Sequence, residues 1–363
     1  MSGRKAFAIA GVLVVCMAGI AIPAGAETDV LDRPALQSGR AAASIIQAVA
    51  RAGSRLVAVG ERGIIVFSDD NGAHWRQAAV PVSVTLTNLR FVSERVGWAV
   101  GHSGVVLKTT DGGETWVKQL DGARAAEIAL AGAKAFAEDH PGEVKGQRLV
   151  ADAEQKVADG PDKPFLDLFF RNEQEGLVVG AYGLILATAD GGRTWQSWQD
   201  RIDNRKSLHL YAVDAAGADL LIAGEQGTLY HSSDGGRSFA TVKTPYEGSY
   251  FGVRHVGEAV LLFGLRGIAY RSTDGVSGWQ RANTGDADSL TGSAVLAGDT
   301  LLLVDLSGNL LLSRDRGKSF RIGAHAPMPL TGAALAADGS LIVSGMGGVM
   351  RLAGQTLDQG SVK

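Results

Sequence analysis

Cysteine is all but missing from this chain. The single copy, Cys16, falls in the first apolar stretch, so no disulfide can staple the remainder. A basic excess is missing too: the formal net charge is −3 with charged residues at 20%, which excludes nucleic acid as a partner because no surplus of Lys and Arg is available to neutralise phosphates. No Gly-x-Ser-x-Gly nucleophile elbow occurs. The histidines His74, His102, His209, His231 and His255 have no metal-ligand spacing. Asp69-Asp70-Asn71-Gly72 is superficially like a calcium loop, but no Glu stands at the twelfth place. Gly345-Met346-Gly347-Gly348 lies between two strand-like runs and opens no helix, so it is no phosphate cradle. No cofactor and no metal are expected.

Glycine, by contrast, is abundant: 49 of 363 residues, about twice the usual share. The excess has a pattern. Thr109-Thr110-Asp111-Gly112-Gly113-Glu114-Thr115-Trp116 recurs in close copies at Ser68–Trp75, Thr188–Trp195, Ser232–Phe239, Ser272–Trp279 and Ser313–Phe320. A period near 40 residues marks a repeat array. Each copy reads as a tight turn between strands. Asp70, Asp111, Asp190, Asp234, Asp274 and Asp315 bond backbone N–H groups of their own turns, and a glycine two residues on, replaced by Val276 after Asp274, accepts positive φ. Trp75, Trp116, Trp195 and Trp279 open the next strand and can wedge between units.

A second element, Gly-x-x-Gly, recurs at Gly60/Gly63, Gly101/Gly104, Gly180/Gly183, Gly224/Gly227, Gly264/Gly267 and Gly345/Gly348, and Asp305/Gly308 stands in for it between the last two. Short β-branched runs separate these turns, four to a unit. Seven such units predict an all-β, seven-bladed propeller of four-stranded blades. The last unit stops near Leu352 without a fourth strand, so a strand over Val30–Ser38 is expected to complete it and remove an open edge. Between Gln119 and Pro164 helix formers replace the strand pattern. Residues 121–163 are therefore read as a helical insertion after blade two, with helices near Arg124–His140 and Val144–Gly160, on the face opposite the aspartate turns. The propeller domain is assigned to 27–353 and a flexible tail to 354–363.

The first residues read as a targeting segment: Arg4 and Lys5, an apolar run over 6–22, and Ala24-Gly25-Ala26 as a cleavage site. A signal peptide over 1–26 predicts an exported, periplasmic protein. A retained membrane anchor is the alternative, whereas a lipid anchor on Cys16 calls for a small residue where Val15 stands.

The aspartate turns resemble the Asp-box or BNR repeat. The fuller unit, Leu89-Arg90-Phe91-Val92, Gly97–Gly104, Thr110–Gly113 and Thr115-Trp116, resembles the photosystem II stability and assembly factor family more closely than the sialidases. That resemblance implies a non-enzymatic, monomeric scaffold that binds a membrane or exported protein. The resemblance extends to exported propellers associated with export pumps, so a role beside a membrane transporter is a further expectation. The rival is a sialidase-like glycoside hydrolase. The raw residue types for it exist, but no Phe-Arg-Ile-Pro motif precedes the first blade, and the box aspartates are turn formers rather than acids.

Comparing the repeats with one another separates scaffold from variation. Aspartates and second glycines hardly change, whereas the two residues between the glycines change every time: Glu61-Arg62, His102-Ser103, Ala181-Tyr182, Glu225-Gln226, Leu265-Arg266, Leu306-Ser307 and Met346-Gly347. Positions of this kind on one rim can carry a binding surface; the plain alternative is a set of unconstrained loops. The residues named for a partner-binding rim are Glu61, Arg62, His102, Tyr182, Glu225 and Arg266, with Tyr246 and Tyr250 from a neighbouring loop.

Overall fold

Seven antiparallel sheets are arranged around one axis in a computed structural model that describes residues 29–285, 287–296 and 300–352. The expected signal segment, 1–26, and the whole expected tail, 354–363, lie outside the described residues. Each sheet runs outward in chain order. Blade one is Ile46–Ala52, Arg55–Gly60, Ile65–Ser68 and Arg76–Gln77. The innermost strands of the others are Leu86–Phe91, Phe165–Phe170, Leu210–Ala216, Tyr250–Val256, Leu290–Val295 and Leu330–Leu335, and each touches the innermost strands on either side. The centres of the second strands are apolar runs, as in Leu301–Val304 of Leu301–Asp305, because both of their faces are buried against neighbouring blades.

The six aspartate turns share one hydrogen-bond pattern. In blade two, Asp111 Oδ1 accepts from Thr109 Oγ1 at 2.7 Å and from the Glu114 and Thr115 N–H groups at 3.0 and 3.1 Å. Its Oδ2 accepts from Thr115 Oγ1 at 2.5 Å, and Gly113 N–H donates to Thr109 Oγ1 at 2.9 Å. Burial pushes this carboxyl up, but the Thr115 hydroxyl and the other donors outweigh burial and hold it below its ordinary range. A carboxylate so engaged is a structural cap. The aromatic that follows packs into the core shared with the preceding blade: Trp116 with Val57 and Phe67, Trp195 with Trp98, Trp75 with Ile342 of blade seven, and Trp279 with Leu221 of blade four.

Closure differs from the expected arrangement. Residues 29–38 form no strand and do not touch blade seven's edge. They run along the link from blade one to blade two: Ala35 N–H donates to Val80 O at 3.0 Å, and Ser83 N–H to Val30 O at 2.8 Å. Leu31 and Ala35 bury themselves beside Val82 and Trp116, and Lys118 Nζ holds Leu31 O at 3.0 Å. Leu31 and Ala35 are thus buried between two complete blades, while Val30 and Leu36 stay exposed. Blade seven therefore has three strands among the described residues, Leu330–Leu335, Leu341–Gly345 and Gly348–Leu352. The ring is joined there by side-chain packing of Ala334, Ala336 and Ile342 on Ile46, Leu56 and Ala58.

The insertion is a helical hairpin, α1 (Gly122–Asp139) and α2 (Val144–Asp159). Asp121 caps α1 by accepting from Arg124 N–H at 3.1 Å. An alanine stripe, Ala125, Ala129 and Ala133, lets α1 lie close, and with Leu149 and Ala153 of α2 it joins the core between blades two and three. The hairpin springs from the Gly-x-x-Gly side, where the Gly122 backbone lies against Gly104. It then settles on blade three's outermost strand, Gln196–Ser197, rather than over the axis. No helix among the described residues is long and apolar enough to cross a membrane.

Candidate functional site: the axial channel and its Gly-x-x-Gly mouth

In every blade the innermost strand carries one extra residue near its start, between Ile46 and Ala48 in blade one and at the matching place in the other six. A bulged residue is left out of the ladder and its strand bends. The seven bulged residues are Gln47, Thr87, Leu166, Tyr211, Phe251, Thr291 and Thr331, and all of them line a cavity of about 590 Å³ on the ring axis. Three bridge adjacent blades: Thr87 Oγ1 donates to Phe165 O at 2.8 Å, Thr291 Oγ1 to Leu330 O at 2.7 Å, and Thr331 Oγ1 to Ile46 O at 2.7 Å. Tyr211 and Phe251 meet edge to face at 5.5 Å and make one side of the channel aromatic.

Deeper in, the channel is charged. Arg90 from blade two and Arg254 from blade five approach Asp214 Oδ1 at 3.8 and 3.7 Å, both longer than a hydrogen bond. Asp214 Oδ2 is taken by the His255 N–H at 2.8 Å and by His255 Nδ1 at 3.1 Å. Asp167 is equally occupied, accepting from Asn88 Nδ2 at 2.6 Å and from the Leu168 and Val213 N–H groups at 2.8 and 2.9 Å. Arg90 lies over the Phe169 ring at 4.3 Å, and Arg254 Nε reaches Ser293 Oγ at 3.0 Å. Burial, then the nearby Arg254 charge, pushes the Arg90 guanidinium below its usual range. Sequence reading missed this cluster because its members sit on five different blades. Counting back from each first glycine to the innermost strand would have found it.

The Gly-x-x-Gly turns surround one mouth of this channel. In all seven the N–H after the first glycine position donates to the carbonyl preceding the innermost strand, from Glu61 to Ile45 (3.0 Å) through Met346 to Pro329 (3.1 Å). A Cβ at Gly60 would stand 2.2 Å from that Ile45 oxygen, so close approach demands glycine. Asp305 fits in blade six because the turn is rebuilt around its buried carboxylate, which accepts from the Ser307 and Asn309 N–H groups. The second variable residue is less free than repeat comparison implied. Arg62, Ser103, Tyr182, Gln226 and Arg266 all adopt φ between 52° and 60°, the left-handed region. In blade seven Gly345 pairs directly with Gly348, so the turn is a two-residue hairpin and the register moves by one residue.

The proposed rim residues separate into two groups. Arg62, His102, Tyr182 and Arg266 are exposed at the mouth. Tyr182 is 47% exposed yet held in place: its N–H donates to His209 Nδ1 at 3.0 Å, its ring meets His209 edge to face, and Lys163 Nζ lies 5.1 Å above it. Glu61 and Glu225 have structural work instead. Each carboxylate accepts the N–H at the entry of its own innermost strand, Ile45 at 3.3 Å and His209 at 2.8 Å. Tyr250 is fully buried and leaves the surface altogether, because its position begins an innermost strand and faces a blade interface. Tyr246 packs on Tyr250 and donates its hydroxyl to Leu265 O at 3.2 Å. Apolar Ile45, Leu306 and Met346 were not proposed, and they complete the mouth. Among the described residues no group of three or more His, Cys, Asp or Glu side chains could hold a metal ion.

A family model described as "Photosynthesis system II assembly factor YCF48" matches residues 66–142 and 150–295. The "Photosystem II assembly lipoprotein Ycf48" of Synechococcus sp. (strain CC9902) is 27% identical over 158 residues, 42% of this chain and 47% of that protein. The chloroplastic "Photosystem II stability/assembly factor HCF136" of Cyanidioschyzon merolae (strain NIES-3377 / 10D) is 45% identical over 47 residues, 12% of this chain and 11% of that one. The chain thus spans less than half the length of these two relatives. Among solved structures, "YCF48 bound to D1 peptide" superposes with a TM-score of 0.61 at 15% identity, covering 88% of this chain and 99% of that one. The WD40 propeller domain of Doa1 gives 0.60 at 11% identity over 88% of this chain and 95% of that one, which speaks for the fold alone.

Proposed function

The chain belongs to the photosystem II assembly factor family, and from that premise we propose that it is a non-enzymatic scaffold whose Gly-x-x-Gly face docks a peptide segment of an exported or membrane-embedded protein. The observation that carries this reading is the sevenfold turn: one backbone bond recurs in every blade while no two blades carry the same pair of residues between the glycine positions. A surface with fixed support and variable chemistry suits recognition. The similar solved structure of YCF48 is bound to a D1 peptide, which supports a peptide ligand here. Tyr182 and Arg266 are the anchor types most used at interfaces. The protein acts outside the cytoplasm as a monomer in this reading. The transporter role drawn from resemblance finds no support in the relatives.

The test is capture from the native host. Tyr182→Ala with Arg266→Ala should abolish recovery of the partner while the thermal midpoint stays within about 2 °C of the parent, as expected of exposed substitutions. Full recovery by the double variant would refute the rim as the docking surface.

The glycosidase alternative has one observation in its favour, a tyrosine beside a glutamate: Tyr211 Oη lies 3.4 Å from Glu225 Oε1 near the channel mouth. Burial and the adjacent Glu225 charge push that phenol up to about 12, the wrong direction for a nucleophile. Hydrolysis of any sialoside in a glycan panel by the purified protein would restore this alternative.

A further inference from the structure

Two of the rim turns lean on the blade that follows. Tyr182 N–H of blade three donates to His209 Nδ1 at 3.0 Å, and Arg266 N–H of blade five donates to Ser289 Oγ at 3.1 Å. His209 and Ser289 hold matching places. Each precedes its innermost strand and offers the carbonyl that the next turn binds, Glu225 N–H to His209 O and Leu306 N–H to Ser289 O, both at 3.1 Å. Both donors belong to non-glycine residues in the left-handed region, with φ 53° at Tyr182 and 60° at Arg266. Such a backbone is strained and persists because its surroundings hold it. The two latches differ in one respect. A serine hydroxyl accepts at any pH, whereas an imidazole nitrogen accepts only while it carries no proton.

The imidazole of His209 sits between two alternatives. Its ring meets that of Tyr182 edge to face at 4.8 Å, and its backbone N–H is fixed by Glu225 Oε2 at 2.8 Å. A ring that accepts at Nδ1 is neutral and carries its proton on Nε2. A second proton, on Nδ1, sets two donors against each other across the 3.0 Å contact with Tyr182. Glu225 Oε2 lies 3.8 Å from the same nitrogen, within reach of a small rotation. Other titratable and charged groups surround the pair. Tyr211, on the strand that His209 precedes, stands 6.1 Å away between ring centroids and gives its hydroxyl to Glu225 Oε1 at 3.4 Å. Lys163 Nζ lies 5.1 Å from the Tyr182 ring, and Lys206 Nζ is held by Gln226 Oε1 at 3.2 Å. On the hairpin side of Tyr182, Arg148 and Asp152 of α2 pair with each other at 3.5 Å.

We propose that His209 is an acid-sensitive positioning residue of the rim: it holds Tyr182 in place while neutral and releases it on protonation, when Nδ1–H turns to Glu225. The released state binds one proton more than the held state, so falling pH favours it. Arg266 rests on a serine and keeps its place. Acid thus loosens one anchor of the rim and spares the other, and a docked partner is held more weakly as the pH drops. That consequence rests on the docking face proposed above, whereas the latch itself rests only on the contacts of His209.

The full chain, labelled with nitrogen-15 at tyrosine and arginine, is followed by NMR from about pH 8 to about pH 5, the span over which an imidazole changes charge. Tyr182→Phe and Arg266→Lys identify the two amides. The Tyr182 amide proton should move upfield along one titration curve as the pH falls, while the Arg266 amide follows no such curve. His209→Gln offers a carboxamide oxygen that accepts at any pH, so the Tyr182 signal should then stay flat. Glu225→Gln should displace the curve to lower pH, because the imidazolium loses its carboxylate. At about pH 5, recovery of the partner from the native host should fall about fivefold for the parent, as for one hydrogen bond, but not for His209→Gln. A Tyr182 amide that does not titrate, one that titrates alike in His209→Gln, or equal recovery by parent and Gln variant at low pH would overturn the proposal. The docking face fails separately, by full recovery at neutral pH when Tyr182 and Arg266 are both replaced by alanine.

Discussion

Thr331 donates its hydroxyl hydrogen bond to the carbonyl of Ile46, 2.7 Å away and 285 positions earlier in the chain. It is a polar tie across the junction where the ring closes, beside the Asp338 N–H bond to Asn71 Oδ1 at 3.3 Å, and Thr87 and Thr291 make the same tie between other blades. Thr331→Val keeps the shape and removes the donor, so a loss of about 1 kcal/mol is expected, with similar losses for Thr87→Val and Thr291→Val. The three should add, because the ties join different pairs of blades. Urea unfolding midpoints of the single and triple variants check both statements.

Asp111→Ala strips one turn of four acceptor contacts at once. The loss should be about 2 kcal/mol or more, larger than that of an ordinary helix cap, because the N–H groups of Glu114 and Thr115 and two hydroxyls lose their partner together. Asp111→Asn should recover part of it, as one carboxamide oxygen can still accept. Unfolding melts of the two variants separate lost bonds from lost shape.

Acid should weaken the ring through the same turns. The Thr194 hydroxyl and backbone donors hold Asp190 at about 2, and Asp315, raised by burial but overruled by Ser319 and its neighbours, is also held at about 2. Both lie below the unfolded value of 3.8, so their stabilisation is fully present above that value and is lost as pH falls towards 2. Thr194→Val and Ser319→Ala remove hydroxyl donors and raise the folded values. The loss of stability with falling pH should therefore be shallower in these variants, and their stability at neutral pH lower. Urea midpoints measured across the acid range decide it.

Gln226 adopts φ 52° at an exposed turn. A left-handed non-glycine residue is strained, so Gln226→Gly should stabilise the protein by up to about 1 kcal/mol despite the added freedom of the unfolded chain. Gln226→Val should cost at least as much. At Gly224, where a Cβ would stand 2.2 Å from the His209 oxygen, even Ala should be strongly destabilising. Thermal melts of the three variants test whether backbone strain or side-chain contact governs the turn.

Much of the fold was legible because repeats report on one another. The aspartate turns, the wedge of Trp116 into the preceding blade and the helical pair after blade two all follow from short-range chemistry repeated along the chain. Tyr250 shows where such reading fails: near a turn it looked exposed, but its place at the start of an innermost strand buries it. Glu61 and Glu225 looked like surface variation, and their carboxylates proved to be strand caps. The channel cluster of Arg90, Asp214 and Arg254 left no local mark, because ring closure alone brings blades two, four and five together.

Sequence by itself determined the seven units, their turns and the family, since each depends on contacts among residues near in the chain. Tertiary structure decided where the segment ahead of blade one lies. The Val30–Ser38 segment carries apolar residues that suit either an edge strand or a groove, and in the structure Leu31 and Ala35 are buried in the groove between blades one and two. No local pattern in Val30–Ser38 announces that placement, because it depends on Val82 and Trp116, which only folding brings beside the segment.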